Sequence, residues 1–147
     1  MSAVGLQTID DIDTLLTDNW TAANTDSVTP IITNSLQTPW EDLDYGAKDH
    51  VYIKLDIDVS RATLHAAEFF HDVAITLEIG TGGLGSIQAG RAHFKKVVDE
   101  AIRIINANAR QTGYAKTVVR DFQPRYFKER NIFLANVHLD LLKVRTT

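Results

Sequence analysis

Three glycines, Gly80, Gly82 and Gly85, stand in the run GTGGLG with the spacing of a dinucleotide-binding turn. The run follows a strand-like stretch and precedes a helical one, the setting in which such a turn presents backbone N–H groups to a pyrophosphate. Three features oppose that chemistry. The preceding stretch alternates, whereas the strand feeding a dinucleotide turn is buried on both faces and reads as continuously apolar. The acidic residue required about twenty positions on would be Asp99 or Glu100, and both fall inside the next helix. No second strand–helix–strand half follows. A flexible strand-to-helix connection accounts for the glycines equally well, so a small nucleotide-binding enzyme domain using Gly80 to Gly85 stays as the alternative from another class.

Other candidate groups are weaker. Glu68 and His71 have the Glu-x-x-His spacing of helical carboxylate metal sites, but such sites need two copies on facing helices and the chain has one. His50, His65, His71, His93 and His138 show no zinc-like pairing, and there is no cysteine to serve as nucleophile, thiolate ligand or disulfide partner. Asp56 and Asp58 share one face of a strand, where they read as a solvated surface. No Gly-x-Ser-x-Gly elbow or phosphate-binding lysine loop is present. No metal or cofactor is therefore expected, and nothing in the chain recommends an enzyme. The segment QPRYFKERN is different: Arg125, Tyr126, Phe127, Lys128 and Arg130 mix cations with aromatics, a composition suited to a protein interface or a nucleic-acid contact. The net charge of −4 favours the protein interface.

The elements that must position these residues follow from periodicity. A helix is expected from near Thr8, with Thr8 and Asp11 as a capping box and Asp10, Asp11 and Asp13 in its first turn. Ile9, Ile12, Leu15 and Leu16 form its apolar stripe, and Trp20 closes it against a sheet. Residues 28–32 read as an extended piece, with Pro30 marking a sheet edge. Residues 33–50 read as a long loop in which Trp40 and Tyr45 are either exposed anchors for a partner or residues buried under the loop. Val51, Ile53, Leu55, Ile57 and Val59 then alternate with polar residues, as do Val73, Ile75, Leu77 and Ile79, giving two strands joined by a loop over 60–70. A second helix is expected over 86–109, with Ile87, Phe94, Val97, Val98, Ala101, Ile104 and Ile105 inward. Strands over 114–122 and 132–144 close the chain, with a loop over 124–130 between them.

Composition agrees with one domain spanning residues 1–147: 44% hydrophobic and 23% charged residues suit a folded globular chain. No apolar run approaches the ~20 residues of a membrane helix, and the opening MSAVGLQTIDDIDTLL has no signal-peptide pattern. Charge is divided unevenly. Residues 1–60 carry eleven Asp/Glu against two Lys/Arg, a balance of −9, and the remainder carries thirteen Lys/Arg against eight acids, a balance of +5. The expected fold class is α+β, a mainly antiparallel sheet of four to five strands packed with two helices.

The order of these pieces resembles that of the small tail-terminator, tail-completion and neck proteins of tailed viruses of bacteria and archaea. An acidic helix ending in Trp20 leads through a Thr/Pro segment to VYIKLDIDV and HDVAITLEIGT. A glycine turn, the helix RAHFKKVVDEAIRIINA and the long strand NIFLANVHLDLLKV follow. The resemblance implies a non-enzymatic virion protein, made in the host cytoplasm and located at the head–tail junction. It implies a ring, commonly six-fold, that caps the tail tube and meets a head-completion or connector protein, with DNA passing through but not specifically bound. A connector role is the runner-up. In such a ring the final strand would extend a neighbour's sheet. The expected assembly interface comprises Trp40, Tyr45, Phe69, Phe70, Arg125, Tyr126, Phe127, Lys128 and Arg130, and Asp42, Asp44 and Asp49 are expected to line the DNA passage.

Overall fold

The computed structural model describes residues 4–43, 48–62, 68–82, 86–110 and 113–146. The elements are α1 (Val4–Asn19), β1 (Ile31–Asn34), β2 (His50–Ala62), β3 (Glu68–Gly82), α2 (Ile87–Ala107), β4 (Tyr114–Phe127) and β5 (Ile132–Thr146), with 3-10 turns at Ala22–Thr25 and Trp40–Asp42. The five strands form one sheet in the order β1-β2-β3-β5-β4. Only the β1–β2 pair is parallel, so the sheet is mixed but mostly antiparallel, and the fold is α+β. Among the described residues no helix is long and apolar enough to cross a membrane.

One sheet face makes the core. Val51, Ile53, Ile75, Leu77, Ile79, Val137 and Leu139 are fully buried under Ile9, Ile12 and Leu16 of α1 and Val97, Ala101, Ile104 and Ile105 of α2. Each such side chain contributes about 1.5–3 kcal/mol by leaving water. Both helices lie on this face. The stripe of α2 is as its periodicity predicts, except that Ile87 is exposed. Its start is also as expected: Ser86 is the N-cap, its hydroxyl accepting from the Ala89 N–H at 3.1 Å.

Helix α1 corrects the capping expectation. It begins at Val4, a turn before Thr8, so Thr8 lies buried in its interior. Thr8 and Asp11 both receive the Tyr114 hydroxyl, at 3.1 and 2.5 Å. Burial, and then the Asp11 carboxylate, raise the Tyr114 pKa and keep the phenol a donor. The group that serves the α1 N-terminus comes from a strand: Asp58 Oδ2 accepts the Gly5 N–H at 2.8 Å.

That contact exists because β2 is bulged. The register with β3 shifts between Leu55 and Ile57, and an extra residue in a strand turns every following side chain to the other face. Ile57 is thereby turned to the open face and is 56% exposed, while Asp58 turns toward α1. The five-residue apolar stripe expected for this strand thus ends at Leu55. Asp56 and Asp58 do not share a face: Asp56 accepts from Thr76 at 2.5 Å, and Asp58 also meets His71 Nδ1 at 2.9 Å.

Three further expectations change. Residues 60–62 and 68–70 are strand rather than loop, and 63–67 lie outside the described residues. The segment expected as a loop over 124–130 is strand up to Phe127, because Phe122, Pro124 and Tyr126 keep a two-residue period on the helix side. Strand β5 is interior, paired with β3 and β4 along its length, so it has no free edge to lend a neighbour. The edges are β1 and β4.

The helix layer is pinned by Glu100, which is 2% exposed. Its carboxylate accepts from the Thr21 N–H at 2.7 Å, Asn24 Nδ2 at 3.0 Å and Arg103 Nε at 2.5 Å, binding α2 to the chain leaving α1. The Arg103 contact outweighs the opposing effect of burial and, with the Thr21 and Asn24 bonds, lowers the Glu100 pKa to about 2. Replacing Glu100 by Ala should cost about 2–4 kcal/mol, read from urea unfolding midpoints, because the Thr21 N–H and Arg103 lose their acceptor. A depressed carboxyl stabilises above its unfolded pKa. The wild-type contribution should therefore be complete above about pH 4.5 and lost as pH falls towards 2, and the Ala variant should lack that acid limb.

Candidate functional site

The free end of the β4–β5 hairpin gathers most of the described interface candidates. Strand β4 carries Val118 (42% exposed), Phe122 (51%) and Phe127 (41%), an unusual load of exposed apolar surface for a strand whose outer side is unpaired. On the helix face, Ile87, Phe94 and Val98 of α2 and Phe122, Tyr126 and Phe133 of the hairpin enclose a groove of about 530 Å³. The Phe133 ring forms its floor, 5.4 Å from Phe94 and 4.5 Å from Tyr126 between centroids. The Tyr126 hydroxyl donates to Asn131 Oδ1 at 3.0 Å, holding the ring at the mouth. Arg91, Lys95 and Arg125 stand round the groove; Lys95 pairs with Asp99, while Arg91 and Arg125 have no ionic partner among the described residues.

On the open face, Trp40, Arg125 and Phe127 line a smaller cleft of about 160 Å³ with Gln123, Leu134 and Asn136. Trp40 is 54% exposed, yet its indole N–H donates to Glu78 Oε1 at 2.9 Å, and Lys54 Nζ donates to the other carboxylate oxygen at 3.1 Å. The segment holding Trp40 is itself tied down by Tyr52, whose hydroxyl donates to the Thr38 carbonyl at 2.7 Å. This segment covers part of the open sheet face, which is why Tyr52, Thr76 and Glu78 are buried where the alternating pattern predicted a wet side.

The sequence-derived residues thus separate. Trp40, Arg125 and Phe127 come together; Tyr126 faces the helix-side groove; Lys128 and Arg130 sit exposed in the turn between β4 and β5. Phe69 and Phe70 lie on β3, opposite Ala62 and Arg61 of β2 and Arg145 and Val144 of β5, so they are strand residues and not loop anchors. Asp42 belongs to the 3-10 turn Trp40–Asp42, while Asp44 and Tyr45 lie outside the described residues. Asp49 is no surface charge: it is 9% exposed and its Oδ2 lies 2.6 Å from His93 Nε2. Sequence reasoning missed Phe122, Val118, Ile87 and Arg91. The two-residue period of Phe122, Pro124 and Tyr126 would have revealed the first had the strand been carried past Phe122.

The glycine run does not build a nucleotide site. Gly80 pairs with His50 on one side and Leu134 on the other, and Gly82 pairs with Ile132, so both are inside β3, with antiparallel neighbours throughout. A dinucleotide turn leaves a strand flanked by parallel neighbours. Gly85 lies outside the described residues. Among those residues no cluster of His, Cys, Asp or Glu suits a metal ion, and His71 is held by Asp58.

His93 is buried between two carboxylates. Nδ1 meets Asp26 Oδ2 at 2.8 Å and Nε2 meets Asp49 Oδ2, while Lys96 Nζ donates to Asp26 Oδ1 at 2.6 Å. Both ring nitrogens are engaged, so the group clasps α2 to the turn after α1 and to the start of β2. Burial opposes the charged ring, but Asp26 and Asp49 outweigh it, and the His93 pKa is raised. The stabilisation is therefore full below the ordinary histidine value of 6.5 and is lost as pH rises through the higher folded value. Unfolding midpoints measured from pH 6 to 9 should fall across that range in the wild type. The His93→Gln variant should be about 1–3 kcal/mol less stable near pH 6 and flat above it.

No protein-family model and no curated protein matches this chain. Its fold is similar to that of a chain in the "virion of native gene transfer agent (GTA) particle", with a TM-score of 0.60 and 11% sequence identity. The match covers 98% of this chain and 100% of that one. At that identity the likeness is one of fold, and it takes in every element described above.

Proposed function

We propose that this chain is a non-enzymatic structural subunit of a tailed, virus-like particle, forming a six-fold ring that ends the tail tube and joins it to the head-side connector. The observation that carries the reading is the end-to-end likeness of fold to a chain of a gene transfer agent virion. The exposed apolar load on β4 supports it, since a ring subunit must keep two unlike patches for head-to-tail contacts that close by rotation. The cleft holding Trp40 and Phe127, on the open sheet face, is suited to a contact with an adjoining layer.

In this reading Asp42 and Asp44 line the passage, because phosphate contacts with Lys and Arg would hold DNA in transit. Asp49 is dropped from that set, being committed to His93. Imaging of particles decorated with an antibody to this chain should place label at the head–tail junction; label elsewhere, or none, would remove the reading. Reversing Asp42 and Asp44 to Lys should slow DNA delivery at least about tenfold while particles still assemble, a change of about 1.4 kcal/mol or more in barrier terms. Unchanged delivery would refute the lining role alone.

A further inference from the structure

We infer that copies of this chain associate head to tail through opposite edges of the sheet, the β1 side of one copy docking on the β4 edge and its helix-side groove in the next. This deepens the ring proposed above by naming its two surfaces. The occupant of the groove is thus a second copy, and the argument is charge and shape.

Before Lys48 the chain has eight Asp/Glu and no Lys or Arg. Five of these acids, Asp10, Asp11, Asp13, Asp18 and Asp26, lie on α1, which packs mainly over β2 and β1, and on the turn after it. Part of this charge is spent internally, Asp11 on Tyr114 and Lys143, Asp13 on Asn34 and Asp26 on His93 and Lys96. Asp10 and Asp18, on the solvent side of α1, have no partner among the described residues. The hairpin at the far edge is the reverse. Residues 114–131 carry five Lys/Arg and two Asp/Glu, and Arg125, Lys128 and Arg130 are unpaired among the described residues.

Each edge also exposes apolar side chains that the fold leaves uncovered. On the β1 side these are Val28 (45% exposed), Ile31 (41%) and Leu36 (52%); on the β4 edge they are Val118 and Phe122, with Ile87 beside the groove. A shallow hollow of about 430 Å³, bounded by Val28, Ile31, Lys48 and the His93 clasp, gives the β1 side relief of its own. Two like edges would set cation against cation or carboxylate against carboxylate. Unlike edges set apolar against apolar with opposite charges at the rim, which favours the head-to-tail arrangement over a two-fold pair. The sheet order places the two edges at opposite sides of one molecule, so the contact propagates from copy to copy.

A charge exchange tests this with the full chain. One variant carries Arg125→Glu, Lys128→Glu and Arg130→Glu; the other carries Asp10→Lys and Asp18→Lys. All sites are exposed, and circular dichroism checks that both variants fold. By sedimentation velocity at low salt, the wild type should associate beyond the dimer, and each variant alone should associate at least about tenfold more weakly. An equimolar mixture should recover the association, because every junction then again joins opposite charges. A wild type that stays monomeric up to millimolar concentration, variants that associate undiminished, or a mixture that fails to recover would each overturn the inference. Stronger pairing of the Glu variant with wild type than of wild type with itself, stopping at a dimer, would also overturn it, since that is the signature of β4 edges meeting in a two-fold pair. The outcome is independent of particle labelling: recovery without label at a junction keeps the edge contact and removes the virion role, and label without recovery does the opposite.

Discussion

Two helices about 10 Å across cover roughly 20 Å of a sheet, while five strands spaced about 4.8 Å apart present roughly 24 Å. One strand's width of apolar face must stay uncovered unless a third element reaches it. Here α1 lies mainly over β2 and β1, α2 reaches from β3 across β5 to β4, and the shortfall falls on the hairpin end of β4, where Tyr114 and Thr117 are buried but Phe122 is not. The result is visible along a single row. Val137 of β5 is fully buried, and its partner across the ladder, Phe122 of β4, is half exposed. The groove beneath α2 and the exposure of Phe122 follow from that mismatch in width, and the hairpin's aromatic floor of Phe94, Phe133 and Tyr126 is what the helix layer leaves open.

Given that geometry, the lateral position of the helices decides which strand is left bare, and buried charges hold that position. Glu100 fixes α2 against the chain leaving α1, and His93 fixes it against the start of β2. Tyr114 ties α1 to the start of β4 through Thr8 and Asp11, with the Lys143 ammonium 4.6 Å from the centre of its ring. These contacts lie between elements far apart in sequence. Each places a charged or polar group where an apolar one would pack as well, which suits a role in registering the layers more than in adding net stability. Losing one would let the layer slide and change the shape of the groove.

Much of the fold was legible because helices and strands announce themselves by period. The α2 stripe, the start of α2 near Ser86 and the apolar row of β3 are where the residues put them. The misses share a cause: local pattern does not carry register. The alternation from Val51 to Val59 is perfect in sequence, yet the bulge after Leu55 reverses its second half, and no residue in the run signals it. Thr8 and Asp11 have the spacing of a cap but are engaged by Tyr114, more than a hundred residues away. The continuation of β4 through Arg125–Phe127 was hidden by Pro124, which an edge strand tolerates because its N–H is not needed there.

The edge position of β4 also limits how it can be used. A flat, unpaired edge would recruit any extended chain, and natural sheets blunt such edges with bulges, prolines and cations. Strand β4 has all three: register shifts after Tyr114 and after Val119, Pro124 in its outer half, and Lys116, Arg120 and Arg125 along it. Continuous backbone pairing with a neighbour is therefore disfavoured along most of its length, and the strand extension expected for β5 has no counterpart here. What remains available is side-chain docking, with Phe122 as the apolar contact on the helix face, Val118 on the open face and the arginines as the rim. Such contacts discriminate by shape and charge where a hydrogen-bonded edge would not, so a strand built this way can be selective for one partner surface.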